Sequence, residues 1–307
     1  MDSASLEGNR SPARAKVLVL GAGGMLGHKL VQKLAPRYDI VGTLRSSVRS
    51  RSLDRIVGSV PILTGVDASQ WHATRQVIEQ TKPAIVLNCI GIIKQLEEAK
   101  SALQSIEINA LLPHRLARLA KQSGFRLIHF STDCVFSGLE GNYTEDDIPD
   151  PQDLYGRTKH LGEVSETGCL TIRSSIVGHE LTRHVGLIDW FISQAKVGQV
   201  NGFARALYSG LSTSAMADVV ERCIQEWPGM EGVWHVSSDP ISKYDLLRIV
   251  SEVYGLGMRI ARDEGFVCDR RLDSGRFRAH TGWRPPAWPD MIRDMHRDYV
   301  QPARACP

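Results

Sequence analysis

The sequence predicts an α/β protein built on a doubly wound parallel sheet, with a smaller α/β region at its carboxyl end. Through about residue 178, apolar strand segments alternate with amphipathic helical segments, as in a parallel sheet covered by helices on both faces. Beyond that point the alternation loosens. We therefore expect one domain over residues 15–178 and a second, substrate-binding domain over 179–307, some segments of which return to the first. Residues 1–14 are polar, and we expect a disordered leader there.

Composition limits the classes of function. A chain of 307 residues is long enough to bury a large core. Its net charge of +3, without a basic run, suits anionic small molecules better than nucleic acid. Its six cysteines show no CxxC or metal-ligand spacing, so we expect reduced thiols, no metal and a cytoplasmic location. No stretch has the length and apolarity of a signal peptide or a membrane span, so we expect no membrane partner.

A glycine-rich turn follows the first predicted strand. An apolar run over residues 16–20 leads into glycines with the spacing GxxGxxG, and apolar residues at helical spacing follow. Such a turn lets backbone N–H groups approach a pyrophosphate at the start of a helix, where the helix dipole favours negative charge. The pattern predicts a dinucleotide site, although a glycine-rich turn can be only a turn. The contacts predicted here are Gly21, Gly24, Met25, Leu26 and Gly27.

The end of the second predicted strand, residues 40–44, bears on the choice of cofactor. An NAD-preferring site often has an acid about twenty residues after the glycine turn. This chain has Arg45 instead, with Arg49 and Arg51 nearby. Because a guanidinium can pair with a 2′-phosphate, the sequence favours NADP, supplied as NADPH, over NAD. NAD and a merely basic surface loop stay open as alternatives.

Later strand ends provide further candidate cofactor contacts. Asp67 ends a predicted strand and is placed to accept from an adenine amine. Residues 88–91 follow another strand and are expected beside the nicotinamide. Asn109 falls in a predicted helix over residues 102–122, where it is either an anchor for the active-site backbone or a surface residue. The contacts predicted in this part are Asp67, Asn88, Cys89, Ile90, Gly91 and Asn109.

The predicted catalytic groups lie in one stretch of the chain. Residues 126–130 predict a buried strand, which places Ser131 and Thr132 at its carboxyl end, where open α/β sheets bind ligands. Tyr155 and Lys159 are four residues apart, so a helix would present both on one face. A lysine cation beside a phenol favours the phenolate, which would bring Tyr155 toward the neutral range. With one of the two hydroxyls holding the same oxygen, these groups suit proton delivery to a carbonyl that receives a hydride.

The predicted helix around Tyr155 has a weaker interpretation as well. A Tyr-x-x-x-Lys match taken alone often marks only a surface helix. We expect Leu161 and Val164 on its buried side, which would set the two functional side chains toward the sheet.

The carboxyl-terminal region holds basic residues that could bind a diphosphate, although most arginines are surface groups. The candidates are Arg183, Lys196, Arg205, Arg270, Arg271 and Arg276. The tryptophans are expected in the core rather than as a base-stacking platform, namely Trp190, Trp234, Trp283 and Trp288. The substrate contacts predicted over the whole chain are Lys94, Cys134, Phe136, Arg205 and Arg276.

Four motifs together carry a family resemblance over about residues 16–300. They are Gly21-x-x-Gly24-x-x-Gly27, Ser131-Thr132-Asp133-Cys-Val-Phe-Ser-Gly138, Gly141-Asn-Tyr-Thr-Glu145 and Tyr155-Gly-Arg-Thr-Lys159-x-x-Gly-Glu163. They resemble the extended short-chain dehydrogenases/reductases, which have a Rossmann fold, and more narrowly the dTDP-4-dehydrorhamnose reductase family. The block from Ser131 to Glu163 is the specific part.

The resemblance implies a function and roles for single residues. Tyr155 would donate the proton, Lys159 would assist it and anchor the ribose, and Thr132 would supply the hydroxyl. The substrate would be a nucleotide-linked 4-keto-6-deoxy sugar, reduced at C4 by NADPH in deoxysugar or polysaccharide biosynthesis. We expect no nucleic-acid partner, and we expect the protein to form a homodimer. Cys134 departs from the family, which usually has tyrosine there, and this leaves the identity of the sugar open.

Two other functions stay open. An epimerase-reductase resembling GDP-fucose synthase would pair Cys134 with His179 or His184. A non-catalytic subunit resembling the regulatory subunit of methionine adenosyltransferase would bind NADP and a partner protein. The presence of both Tyr155 and Lys159 favours catalysis. A dehydratase is disfavoured because that class has glutamate at the position of Cys134.

Overall fold

The structure, a computed structural model, describes residues 14–95 and 97–302, so the predicted leader lies outside the described residues except for Arg14. Within these ranges the chain forms a seven-stranded sheet, a three-stranded sheet and a two-stranded sheet. We call the first the large sheet and the second the small sheet, and we number strands and helices along the chain.

The large sheet has the order β10-β6-β5-β4-β1-β2-β3, and each neighbouring pair is parallel. Its strands are β1 (Lys16–Leu20), β2 (Asp39–Thr43), β3 (Ile62–Leu63), β4 (Ile85–Asn88), β5 (Arg126–Ser131), β6 (Cys169–Arg173) and β10 (Gly232–His235). Val17 and Val19 belong to one apolar core cluster, while Leu18 and Leu20 belong to another. Since successive strand residues point to opposite faces, the sheet is covered on both sides. The predicted doubly wound parallel sheet is confirmed.

Helices cover this sheet and the carboxyl-terminal region. They are α1 (Gly27–Leu34), α2 (Arg51–Val57), α3 (Trp71–Thr81), α4 (Ala102–Ser105), α5 (Leu112–Ser123), α6 (Leu154–Leu161), α7 (Leu187–Ser193), α8 (Thr213–Gln225), α9 (Lys243–Val253), α10 (Gly275–Thr281) and α11 (Trp288–Val300). A π-helix over Ile106–Leu111 joins α4 to α5. The predicted helix over 102–122 therefore exists, but a wider turn interrupts it and contains Asn109. Short 3₁₀ helices occur at Glu97–Lys100, Asp133–Val135 and Gln194–Lys196.

The small sheet has the order β11-β8-β12, with β8 (Gln199–Tyr208), β11 (Ile241–Ser242) and β12 (Arg259–Asp269). A further pair joins β7 (Ile176–Val177) to β9 (Leu211–Ser212). β10 lies in the second predicted domain but pairs with β6 of the large sheet. The sequence did not indicate β8, β12 or α10. The charged, partly exposed residues of β12 hide the apolar alternation on which a strand prediction depends.

Two predictions about burial are wrong. The Leu161 side chain is 60% exposed rather than buried, because it lies at the outer end of α6. Val164 is buried as expected, but it follows the helix. Trp190 is 40% exposed, whereas the other three tryptophans named above are in the core.

The end of α6 packs closely on the π-helix. The Asn109 amide donates to Thr158 Oγ1 at 3.2 Å, and Gly162, which ends α6, lies directly against the Asn109 carbonyl oxygen. A Cβ atom at Gly162 would overlap that oxygen. Its backbone angles, φ −92° and ψ 3°, are open to any residue, so only the close approach requires glycine.

We expect Gly162→Ala to lower the free energy of unfolding by about 1–3 kcal/mol, because the two helices must separate to admit the methyl group. Urea unfolding followed by circular dichroism measures this. Gly229→Ala is the matched control: no heavy atom lies within 4 Å of an added Cβ there, and the change should stay within about 0.5 kcal/mol. Equal effects of the two substitutions would contradict the close packing described here.

Candidate functional site

A cavity of about 1190 Å³ lies along the carboxyl edge of the large sheet. One wall comprises residues at the ends of β1, β2, β4 and β5, and the opposite wall comprises residues of β8, β12 and the start of α9. This is the position at which open α/β sheets bind their ligands.

The glycine turn lies in the first wall. Gly21 has a φ of +80°, a left-handed conformation that favours glycine. Among the described residues, the N–H groups of Gly23, Met25 and Leu26 donate to no other protein group, and α1 begins directly after them. Free amides at a helix N-terminus are suited to a phosphate, so the turn fits the pyrophosphate of a dinucleotide.

Most predicted cofactor contacts line this cavity. They are Gly21, Gly24, Met25, Leu26, Arg45, Asp67, Asn88, Cys89, Ile90, Gly91, Tyr155 and Lys159. Gly27 does not line the cavity because it packs behind the turn, against the Gly21 backbone. Asn109 also lies behind the wall, where it accepts from Ile92 N and donates to Ile92 O, both at 2.9 Å. Asn109 is buried and thus fixes the backbone at Ile92.

Arg45 lies at the edge of the cavity, with its side chain 59% exposed. Its guanidinium is 3.4 Å from the Glu98 carboxylate, which is also 3.8 Å from the guanidinium of Arg183. Glu98 and Arg183 line the same cavity. The exposed ion pairs are weak, so an incoming phosphate can compete with Glu98 for both arginines.

Thr132 and Tyr155 meet at the end of β5. Asp153 Oδ1 accepts from Gly156 N at 2.7 Å and caps the start of α6, which carries Tyr155 into the cavity. The Tyr155 phenol lies close to the Thr132 side chain, whose Oγ1 accepts from Cys134 N and donates to Asp133 Oδ1, both at 3.1 Å. A hydroxyl pair of this kind can hold one carbonyl oxygen from two sides.

Lys159 does not act on the phenol as the sequence suggested. Its amine donates to the Phe130 carbonyl at 2.6 Å, and burial lowers the pKa of Lys159 to about 8, although Glu163 opposes the shift. Burial, and then the neighbouring Cys134 and Asp133, raise the pKa of Tyr155, while Thr132 opposes them. The expectation that Lys159 lowers the pKa of Tyr155 is therefore wrong for this arrangement. A phenol with a raised pKa keeps its proton at neutral pH, so the protonated form of Tyr155 is the one present in the cavity.

Ser131 belongs to a buried network beneath these groups. Its hydroxyl donates to Glu163 at 2.6 Å, and Arg173 makes two bonds of 2.7 Å to the same carboxylate. Burial would raise the pKa of Glu163, but the bonds from Arg173, His160 and Ser131 outweigh it and bring the pKa to about 2. Thr132, rather than Ser131, is thus the hydroxyl beside the phenol.

The predicted substrate contacts divide into two groups. Lys94 and Cys134 line the cavity. Phe136 does not: it is fully buried and stacks on Tyr143 with ring centroids 4.2 Å apart. Arg205 is exposed outside the cavity lining, and Arg276 lies over the Trp234 ring at 4.0 Å. The predictions for these three residues are wrong because strand alternation and core packing turn them away from the site.

Sequence reasoning missed several residues of the second wall. They are Phe203, Phe266 and Lys243. Glu98, which lines the cavity beside Arg45, was missed as well. Arg270, one of the diphosphate candidates, does line the cavity. The pairing of β8 with β12 brings Phe203 and Phe266 together, and α9 places Lys243 over Tyr208 of β8, so no local pattern could have identified these residues.

The cysteine and histidine pair of an epimerase-reductase is not assembled. Neither His179 nor His184 lines the cavity that contains Cys134. His179 instead bonds Asp189 at 2.5 Å and Tyr254 at 2.8 Å. Burial, and then Asp133, raise the pKa of Cys134 to about 11, so its thiol stays protonated.

Known proteins resemble this chain in sequence and in fold. Residues 15–259 match the RmlD substrate binding domain family. The chain belongs to this family. Spore coat polysaccharide biosynthesis protein SpsK of Bacillus subtilis (strain 168) is 26% identical over 93% of this chain and 97% of its own length. A dTDP-4-dehydrorhamnose reductase of Aggregatibacter actinomycetemcomitans is 25% identical, over 75% and 76%. Methionine adenosyltransferase 2 subunit beta of Xenopus laevis is 24% identical, over 80% and 73%.

Solved structures share the fold of this RmlD-family protein. The dTDP-4-dehydrorhamnose reductase of Bacillus anthracis in complex with NADP has a TM-score of 0.76 and 18% identity, covering 93% of this chain and 99% of that one. WbmG of Bordetella bronchiseptica in complex with NAD has a TM-score of 0.77 and 18% identity, covering 96% and 97%. The extended short-chain dehydrogenase/reductase fold is thereby confirmed.

In the described part of the chain no helix has the length and apolarity to cross a membrane. The homodimer and the cytoplasmic location stay predictions.

We expect Arg173→Leu to lower the free energy of unfolding by about 3–5 kcal/mol at neutral pH, because it leaves Glu163 buried without its cation. Glu163 has a pKa of about 2 against an ordinary value of 4.5, so its ion pair stabilises the folded protein above that ordinary value. This contribution is lost as the pH falls toward 2. The difference in the free energy of unfolding between wild type and variant should therefore become smaller at low pH. Urea unfolding at several pH values measures both effects.

Arg75→Leu is the control for this prediction. It breaks an exposed pair with Glu79, whose side chain is 49% exposed, and should cost less than about 1 kcal/mol. An Arg173→Leu variant as stable as this control would contradict the structural role of the buried pair.

Proposed function

We propose that this protein reduces the keto group of a nucleotide-linked 4-keto-6-deoxy sugar with NADPH. The observation that carries the proposal is that Thr132, Tyr155 and Lys159 line one cavity together with the glycine turn. Relatives named for dTDP-4-dehydrorhamnose reduction and for polysaccharide biosynthesis support the choice of substrate class.

The residues that would hold the cofactor follow from the cavity wall. The free amides of Met25 and Leu26 fit the pyrophosphate, and Arg45 fits a 2′-phosphate. Lys159, at the other end of this wall, is placed for the nicotinamide ribose once its amine leaves the Phe130 carbonyl. NADPH, when bound, supplies the hydride.

The protein's own groups supply the proton. As the carbonyl carbon gains a hydride, its oxygen becomes negative and takes the proton of Tyr155, so that C=O becomes CH–OH. Thr132 holds the same oxygen by a second hydrogen bond, which is strongest when the oxygen is negative. The resulting phenolate regains its proton from solvent, because the raised pKa of Tyr155 favours the protonated phenol at neutral pH.

A second function has one observation in its favour, namely the relative named methionine adenosyltransferase 2 subunit beta. In that case the protein would bind NADP and a partner without turning over a sugar. Incubation with NADPH and a panel of nucleotide-linked 4-keto sugars separates the two: NADPH oxidation supports the reductase, and its absence with every sugar supports the binding subunit.

We expect Tyr155→Phe to lower kcat by about 10²–10⁴-fold, because it removes the proton donor. Binding of NADPH, measured by fluorescence, should be nearly unchanged. Tyr244→Phe is the control, since Tyr244 lies outside the cavity lining and should keep full activity. Near-normal turnover by Tyr155→Phe would contradict the proposed role of Tyr155 as the proton donor.

We expect Arg45→Gln to raise KM for NADPH about tenfold or more while changing KM for NADH little, because a charge-assisted hydrogen bond to the 2′-phosphate is lost. Steady-state kinetics with both cofactors measures this. Arg51→Gln removes the same charge from an exposed residue outside the lining and should change neither KM. Equal turnover of wild type with NADH and NADPH would contradict the argument from Arg45.

A further inference from the structure

The Glu98 carboxylate lies between two arginines at the edge of the cavity. Its Oε1 is 3.4 Å from the Arg45 guanidinium and 3.8 Å from the guanidinium of Arg183, and all three residues line the cavity. Arg45 follows β2, Glu98 lies in the 3₁₀ helix after β4, and Arg183 lies between β7 and α7. A hydrogen bond from its own backbone N–H, and then the two arginines, lower the pKa of Glu98, although burial opposes them. Glu98 is therefore an anion at neutral pH.

The first arginine is next to the glycine turn. Ala22 N donates to the Thr43 carbonyl at 2.9 Å, so the end of β2 is bonded to the turn that fits the pyrophosphate. Arg45 follows two residues later, at the strand end where this fold binds the adenosine ribose of a dinucleotide. Arg49 also lines the cavity, but its Nε lies 2.6 Å from Asp54, so its charge is paired elsewhere.

The second arginine is carried by a compact loop of the carboxyl-terminal region. The Glu180 carboxylate accepts from Val185 N at 2.6 Å and from Gly186 N at 3.0 Å, which closes the loop. Glu180 N donates to Asp189 of α7 at 2.8 Å, so the loop is also tied to a helix. Arg183 therefore extends from a fixed base, although its side chain is 43% exposed.

A phosphate is a stronger ligand for this pair of cations than a carboxylate is. A phosphate monoester carries a charge of about −1.5 to −2 at neutral pH and three acceptor oxygens, whereas a carboxylate carries a single charge and two oxygens. The ion pairs of Glu98 are weak, because its side chain is 35% exposed and those of Arg45 and Arg183 are more so. A 2′-phosphate therefore displaces the carboxylate, and Glu98 then lies beside it as a like charge.

The same carboxylate suits a cofactor that lacks this phosphate. A ribose 2′-hydroxyl donates a hydrogen bond, and an ionised carboxylate is a strong acceptor. Glu98 thus disfavours a 2′-phosphate and favours a 2′-hydroxyl, which is the effect that an acid after the second strand has in many NAD-preferring sites. Its effect on the choice of cofactor is opposite to that of the two arginines.

We propose that Glu98 is a specificity-determining residue for the cofactor: it occupies the position of a 2′-phosphate between Arg45 and Arg183, and it lowers the preference of the protein for NADP over NAD. Arg183 is then a second contact of the 2′-phosphate, supplied by the carboxyl-terminal region. The inference rests on the proposed function in its cofactor, and not in its sugar.

The test is isothermal titration calorimetry of the full chain with NADP⁺ and with NAD⁺. We expect Glu98→Gln to strengthen binding of NADP⁺ about threefold to tenfold, because it removes both the competition for the arginines and the like charge. Binding of NAD⁺ should stay within about twofold, because glutamine keeps an oxygen that accepts from the 2′-hydroxyl. The ratio of the two dissociation constants therefore shifts toward NADP⁺.

We expect Arg183→Gln to weaken binding of NADP⁺ about tenfold, because a charge-assisted hydrogen bond to the phosphate is lost. Binding of NAD⁺ should be nearly unchanged, and this also shows that the variant is folded. An Arg183→Gln variant that weakens both cofactors equally would overturn the contact between Arg183 and the phosphate.

The ion pair between Arg222 and Glu226 is the matched control. Its side chains are 36% and 47% exposed and 2.8 Å apart, and neither residue lines the cavity. Arg222→Gln and Glu226→Gln should change neither affinity. A Glu98→Gln variant that binds NADP⁺ no more tightly than wild type, or test variants that behave as these controls do, would overturn the inference.

These outcomes are separable from the reductase proposal, because the calorimetry uses oxidised cofactors and no sugar. A protein that shows the expected changes in affinity but oxidises no NADPH with keto sugars keeps the role of Glu98 and loses the reductase. One that reduces these sugars while Glu98→Gln leaves the ratio of dissociation constants unchanged keeps the reductase and loses the role of Glu98.

Discussion

The buried ion pair between Glu163 and Arg173 is the constraint on which the site depends. Both side chains are 6% exposed, and two bonds of 2.7 Å join them. Glu163 follows α6, Arg173 ends β6, Ser131 ends β5, and His235 of β10 lies 3.2 Å from Arg173. Three strand ends and the helix that carries Tyr155 are thus fixed to one carboxylate. Burying two charges is costly, so the pair brings little net stability, but its bidentate geometry specifies a single arrangement.

A second polar group holds the site from the other side. The π-helix widens the backbone just where Asn109 turns inward, and this amide bonds both Ile92 in the cavity wall and Thr158 in α6. π-turns of this kind are frequent at functional sites. The close approach at Gly162 keeps α6 against the same turn. α6 is therefore held at one end by an ion pair and along its length by an amide, and this support is what the proposed proton transfer from Tyr155 requires.

The first half of the chain could be predicted from sequence because its signals are local. The glycine turn, the apolar strands and the Tyr-x-x-x-Lys spacing each depend on neighbours within a few residues, and twelve of the predicted cofactor contacts line the cavity among the described residues. The second wall depends on the pairing of β8 with β12, two strands that are some sixty residues apart in the sequence. No local pattern therefore predicts that Lys243 and Phe266 line the cavity. The predictions for Arg205 and Arg276 depend on charge alone, and charge does not indicate the direction of a side chain. The effect of Lys159 on Tyr155 was also mispredicted, because spacing on a helix does not show that the amine bonds the Phe130 carbonyl instead.

Two features make the site suited to donating protons rather than accepting them. Burial raises the pKa of Tyr155, so the phenol keeps its proton at neutral pH, and the Thr132 side chain lies beside it at the end of β5. The central claim is that Thr132, Tyr155 and Lys159 converge on the reactive ring of a bound dinucleotide. A crystal structure of the protein grown with NADP⁺ tests it most directly. The account predicts the pyrophosphate at the amides of Met25 and Leu26 and the nicotinamide beside the Tyr155 hydroxyl; a pyrophosphate bound elsewhere, or a phenol turned away from the nicotinamide, would contradict it.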